Sequence, residues 1–127
     1  MISFWAKGIK SAGSARTLLD NGDSDGAVNR AYYAMYYAAR STLEHIAPQA
    51  AAAKKHSTII GQFARHVVRG RGLEPEFGRL INLVFDQRLI ADYEIDGVLA
   101  DDAIVIVADM ARFLEALAAL NGQENPP

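Results

Sequence analysis

Asn29, Tyr33, Tyr37 and Arg40 recur at helical spacing, which puts an amide, two phenols and a guanidinium along one stripe. Tyrosine combines a flat stacking surface with a hydroxyl, a pairing that suits a nucleobase or a phosphate. The window Tyr32–Tyr37 holds four tyrosines and covers more than about one and a half turns, so they cannot all face one core. Two readings stay open: a surface for a ligand, or a packing face whose hydroxyls are satisfied by neighbouring helices.

Arg88 raises a second question. It falls where the apolar spacing Phe77, Ile81, Val84 calls for a buried side chain, and Asp92 stands four residues on, within pairing reach. A partly buried Arg–Asp pair is weak evidence for stability and fits either a specified polar site or an ion pair fixing the helix end. The third feature is the basic cluster Lys54, Lys55, His56, Arg65, Arg69 and Arg71, whose charge density suits phosphate contacts or a solvated face.

Other chemistries are excluded. Cysteine is absent, which removes disulfides, thiolate zinc sites, iron–sulfur clusters and cysteine nucleophiles together. His45, His56 and His66 stand in no metal-ligand spacing, and Gly70-Arg71-Gly72 lacks the length and lysine of a phosphate-binding P-loop. No metal or cofactor is expected. No apolar run approaches the ~18 residues of a membrane span, and the N-terminus lacks the pattern of a signal peptide. The expectation is a soluble, cytoplasmic protein with no membrane partner.

These side chains need elements to position them. In 127 residues with net charge −2, periodicity predicts only helices. The first runs from about Ser3 to Leu19, with Trp5, Ile9, Ala12 and Leu19 on one stripe and small residues at Gly8, Ser11, Ala12 and Ala15 that allow close helix approach; Asn21-Gly22 stops it. The second, about Ser24 to Ile46, has a core stripe of Val28, Tyr32, Met35, Ala39, Leu43 and Ile46. A short third helix follows with Ser57 as its expected cap, and a fourth opens at Glu74-Pro75 and ends near Tyr93. The last, about Asp101 to Leu120, carries two apolar rows, and the second row suggests contact with another copy of the chain. The expected fold is an all-α, up-and-down bundle of four to five helices in one domain over residues 1–122, with 123–127 a flexible tail.

Charge divides along this scaffold. Lys54 to Arg88 carries seven Lys or Arg against three acids, whereas the chain beyond Arg88 holds eight acids and only Arg112. The basic part suits an anionic ligand and the acidic part suits association with a partner.

The segments NRAYYAMYYAAR (29–40), KKHS (54–57), PEFGRLIN (75–82) and RLIADY (88–93) resemble the small stand-alone HEPN-domain proteins, and the resemblance spans nearly the whole chain. It implies a helical bundle that homodimerises through its long helices and is paired with a minimal nucleotidyltransferase in a toxin–antitoxin-like system. Many such proteins are metal-independent RNases, with an arginine and, after four to six residues, a histidine meeting their copies in a cleft across the dimer. This sequence keeps the arginine as Arg88, but Tyr93, Glu94 and Ile95 stand where the histidine belongs. The resemblance thus implies a nucleotide- or RNA-binding cleft containing Arg88, Asp92, Tyr93, Tyr33, Tyr37, Arg40 and His56. A second reading is a non-catalytic interaction module. A third is an RNase in which Arg88 acts with Tyr93, Glu94 or His56.

Overall fold

Helix α1 (Phe4–Asp20) begins at Ser3, whose side-chain oxygen accepts from the Ala6 N–H at 3.1 Å, satisfying one of the orphan donors of a helix start. It stops at Asn21, followed by Gly22 at φ +82°, a left-handed conformation that glycine adopts without steric cost. Helix α2 (Ser24–Ile46) follows at once, capped by Asp23 through the Gly26 N–H at 2.8 Å. A short 3₁₀ turn (Ala50–Ala52) leads to α3 (His56–Phe63), which widens into a π turn over Ala64–Arg69. Helix α4 (Pro75–Tyr93) starts with proline, whose missing N–H costs nothing in a first turn, and α5 (Ala100–Asn121) ends at Gly122, φ +68°. The computed structural model describes residues 3–122, so the expectation of a tail at 123–127 falls outside it. Among the described residues there is no strand, and no helix is long and apolar enough to cross a membrane.

The bundle is built around α2, which every other helix touches. Its approach to α1 is the tightest. Gly8, Ser11, Ala12 and Ala15 are the buried residues of α1, and a Cβ placed on Gly8 would lie 3.1 Å from the Ala34 carbonyl oxygen. The small residues, rather than the Trp5–Ile9 stripe, therefore form the face that α1 buries. Trp5, Ile9 and Leu19 remain only partly covered at its edge.

On the other side of α2 lies the large-residue core. Phe113 of α5 meets Phe63 of α3 at 5.6 Å and Phe77 of α4 at 6.1 Å between ring centroids, so one side chain ties three helices together. The two apolar rows of α5 are both largely covered within the chain. Ile106, Met110, Phe113 and Leu117 of one row and Val107 and Leu114 of the other are buried, because α5 has neighbours in α1, α2 and α4. This corrects the expectation that a whole row awaits a second copy. The exposed remainder is Ile104 and Val105 near its start and Leu120 near its end. The expected cap of α3 is also displaced. The helix begins at His56 after an extended Lys55, with no side-chain cap, and Ser57 sits inside the first turn.

The link between α4 and α5 is pinned to the start of α2, where Asp25 Oδ1 accepts from the Val98 N–H at 2.8 Å. Gly97 holds φ +66° there, and a Cβ at that position would run into the Asp25 carboxylate. Gly97→Ala is therefore expected to lower stability by about 1–3 kcal/mol through backbone strain and loss of that bond. Urea denaturation with an unchanged midpoint would show that the loop yields freely.

Candidate functional site

One face of α2 presents Asn29, Arg30, Tyr33, Tyr36, Tyr37 and Arg40 over successive turns, and α4 brings Arg88 against it. The Arg88 guanidinium lies 5.0 Å from the ring centroid of Tyr32, 5.6 Å from that of Tyr33 and 5.7 Å from that of Phe85. Its side chain is only 14% exposed, which matches the buried register read from the sequence. Nη1 donates to the Tyr33 hydroxyl at 3.1 Å and stands 3.7 Å from the Asp92 carboxylate, too far for a good hydrogen bond. The carboxylate is held elsewhere: Asn29 Nδ2 donates to both of its oxygens, at 3.1 and 3.3 Å. Asn29 accepts in turn from Arg30 Nε at 2.9 Å, and the Arg30 guanidinium packs 4.9 Å from the Tyr33 ring centroid. Arg88 is thus positioned by aromatic rings and a phenol more than by its acid.

Arg40 closes the far end. Its Nη1 donates to the Tyr36 hydroxyl at 3.0 Å and its guanidinium lies 4.8 Å from the Phe4 ring centroid of α1. It forms no ion pair with a described residue. Both Arg40 Nε and Arg88 Nε are buried without a hydrogen-bond partner among the described residues. Two guanidiniums are therefore partly desolvated with little protein negative charge to offset them.

Between them stands His56, the first residue of α3. Its ring stacks on Tyr36 with centroids 4.0 Å apart, and its Nδ1 is 2.9 Å from the Tyr32 hydroxyl. Burial, followed by the nearby charges of Arg88 and Arg40, pushes the imidazole pKa below its ordinary value. Tyr32 is fully buried, and that burial raises its hydroxyl pKa well above the usual phenol range, outweighing the opposite pull of Arg88. The phenol therefore keeps its proton. His56 Nδ1 is its sole described acceptor, so the neutral imidazole is assigned the tautomer with its proton on Nε2.

The structure thus gathers Arg88, Asp92, Tyr33, Arg40 and His56, and adds four groups that the sequence reading did not assign to the site. Tyr32 stands in the core stripe, and it is both core and the anchor of His56. Tyr36 precedes Arg40 by four residues, a spacing that could have signalled the pair. Arg30 and Phe85 carried no such signal. Tyr37 belongs to the edge shared with α1, stacked near Phe4 at 6.0 Å and with Lys7 Nζ 4.9 Å from its ring centroid. Tyr93 is 77% exposed at the last turn of α4 and has no hydrogen bond to this cluster. Among the described residues no three His, Asp or Glu side chains converge as metal ligands. What the arrangement offers is cationic donors, an imidazole N–H and exposed ring edges: the chemistry of an anion carried on a flat aromatic group.

Comparison with known proteins places this geometry in context. The family described as HEPN domain matches residues 3–120. A UPF0332 protein of Thermotoga maritima is 30% identical, over 94% of this chain and 90% of its own. A UPF0332 protein of Gloeobacter violaceus is 33% identical over 80% of each chain. A Methanocaldococcus jannaschii protein named as a candidate toxin is 29% identical, over 82% of this chain and 75% of its own.

Proposed function

Because this chain belongs to the HEPN-domain family, we propose that it is the toxin-like member of a two-component pair, that its face of α2, α3 and α4 binds RNA or a nucleotide, and that it works as a cytoplasmic homodimer beside a nucleotidyltransferase-type partner. The observation that carries the binding reading is the near-buried Arg88, held by Tyr33 and lying over aromatic rings with only a loosely placed acid beside it. A guanidinium in that setting retains donors and charge for a phosphate. Arg40 and His56 extend the same surface, and Tyr33 and Tyr37 supply rings for stacking. The name of the Methanocaldococcus jannaschii relative supports the toxin-like role.

The reading is one of binding. At the motif position stand Tyr93, exposed, and Glu94 rather than a histidine. A second reading, as an association module, has its own support. Leu83, Leu89, Ile95, Leu99, Ile104 and Val105 are exposed on α4, the loop after it and the start of α5. An apolar surface of that kind favours a protein partner.

Titration of a fluorescently labelled single-stranded RNA by anisotropy tests the binding reading. Two to three phosphate contacts should cost roughly tenfold in affinity between about 50 and about 200 mM salt. Absence of binding to any RNA or nucleotide, with a dimer in sedimentation, would leave the association module standing. Cyclic-phosphate ends formed from the same RNA with EDTA present would establish an RNase instead.

A further inference from the structure

The tyrosines of α2 link three cationic or ionisable groups from three helices. Tyr36 joins Arg40 to His56, through a hydrogen bond on one side and a stacked ring on the other. Tyr32 and Tyr33 join His56 to Arg88: the Arg88 guanidinium lies over both rings, and the His56 ring is 5.8 and 5.7 Å from them. The hydrogen-bond, ring and charge neighbours of His56 among the described residues are phenols and cations: Tyr32, Tyr33, Tyr36 and Arg40 from α2 and Arg88 from α4, with Lys55 preceding it in the chain. Beyond them lie apolar rings, Phe4 of α1 against Arg40 and Phe85 of α4 against Arg88. Asp92, the carboxylate beside Arg88, is bound to Asn29.

We propose that Arg40, His56 and Arg88 together bind one phosphodiester group between α2, α3 and α4, and that His56 becomes an imidazolium as that group arrives. This rests on the reading of the face as a phosphate binder and names what it grips and what accompanies binding. In the free protein burial, and after it the two guanidiniums, favour the neutral imidazole, which already offers Nε2–H as a donor because Tyr32 occupies Nδ1. The added proton enters at Nδ1, and the Tyr32 hydroxyl turns from donor to acceptor there. A phosphodiester brings one negative charge into the same space. It offsets the guanidiniums whose Nε groups lack partners, and it places a negative charge against His56 that weakens their positive potential there. An opposite charge at contact distance raises a histidine pKa by about 1–3 units. The bound state holds its proton to higher pH than the free state, so binding takes up a proton between the two values and tightens as pH falls through that window. Below the free value both states are protonated and the affinity becomes level.

The test is an NMR titration of the His56 ring, identified with His56→Gln, in the full chain with and without a thymidine dinucleotide. Its diester stays singly charged between about pH 5 and 8 and it has no 2′-hydroxyl to react. The expected result is an upward shift of about one unit or more on saturation, with affinity rising several-fold from pH 7.5 to pH 5.5. In Arg40→Gln the shift should shrink and the affinity should fall about tenfold, with helix content by circular dichroism unchanged. Sulfate serves as a free-oxyanion arm: a shift with sulfate alone means the three groups suffice, and a shift with the dinucleotide alone means that the nucleosides are needed to seat the diester. Binding of dinucleotide or RNA without movement of the His56 titration would overturn this inference and leave the binding reading intact. No binding of any of these probes would overturn both.

Discussion

Arg88→Ala is expected to weaken single-stranded RNA or nucleotide binding by about 30- to 100-fold, because truncating a buried charged partner removes charge-assisted hydrogen bonds of about 1.5–3 kcal/mol each. The fold should survive. Asp92 keeps its two bonds from Asn29, and Tyr33 reaches the solvent-facing edge of α2, so no carboxylate is stranded in the core. The cost in stability should be about 1–2 kcal/mol, from lost packing against Tyr32 and Phe85 and from the unpaired Tyr33 hydroxyl. Arg88→Lys separates charge from shape. It keeps the cation but loses the planar fork that lies on the rings while donating to Tyr33, and should recover only part of the affinity. Anisotropy titrations paired with thermal melts decide the matter. A folded Arg88→Ala protein that binds as well as the parent would make Arg88 a structural brace for the end of α4.

Phe113→Ala is the largest stability effect expected, about 3–5 kcal/mol. The ring is fully buried and is the contact shared by Phe63 of α3 and Phe77 of α4, so alanine leaves a cavity that no single helix can close. For a chain of this size the melting temperature should fall by about 10–20 °C. The consequence reaches the candidate site. His56 rides on α3 and Arg88 on α4, and Phe113 is the ring that both helices share with α5, alongside the Arg112–Glu76 ion pair between α5 and α4. The variant should therefore lose ligand affinity at temperatures where much of its helix remains, which circular dichroism and anisotropy on the same sample would reveal. A fall of less than about 1 kcal/mol would mean that neighbouring Met110 and Leu117 repack into the space.

Helix positions were legible because α1, α2, α4 and α5 carry 3.6-residue periodicity, with Asn21-Gly22 stopping α1 and Pro75 opening α4. Gly22, Pro75 and Gly122 sit at the boundaries that their backbone chemistry demands. Arg88 was legible as a charged residue in an apolar register, and Asp92 by its spacing. The limits have physical causes too. A stripe analysis assigns each α2 residue to core or surface, but α2 is surrounded, and Tyr32 and Tyr36 are buried while still carrying the polar contacts of the site. His56 joins only because α3 folds back on α2 across a loop and a 3₁₀ turn, a long-range event that no local pattern encodes. Tyr93 shows the converse. Counting along the motif selects it, yet the helix turn places it in solvent. The rows of α5 misled because apolar residues on two sides of a helix look alike whether covered by the same chain or by another.

The tyrosine cluster has an optical consequence. Four of the five tyrosines of this chain, Tyr32, Tyr33, Tyr36 and Tyr37, lie in mutual contact, with ring centroids 5.1–6.5 Å apart for five of the pairs. The fifth, Tyr93, is open to solvent, and the single tryptophan, Trp5, sits on α1. Near-ultraviolet dichroism arises from rings held in fixed asymmetric surroundings. The tyrosine band of this protein is therefore almost entirely a signal from the candidate site and its edge against α1, distinct from the tryptophan band of Trp5. Occupancy of the site can be followed without a label, and loosening of the cluster alone moves the tyrosine band without the tryptophan band, whereas detachment of the first helix moves both, because Tyr37 lies against Phe4.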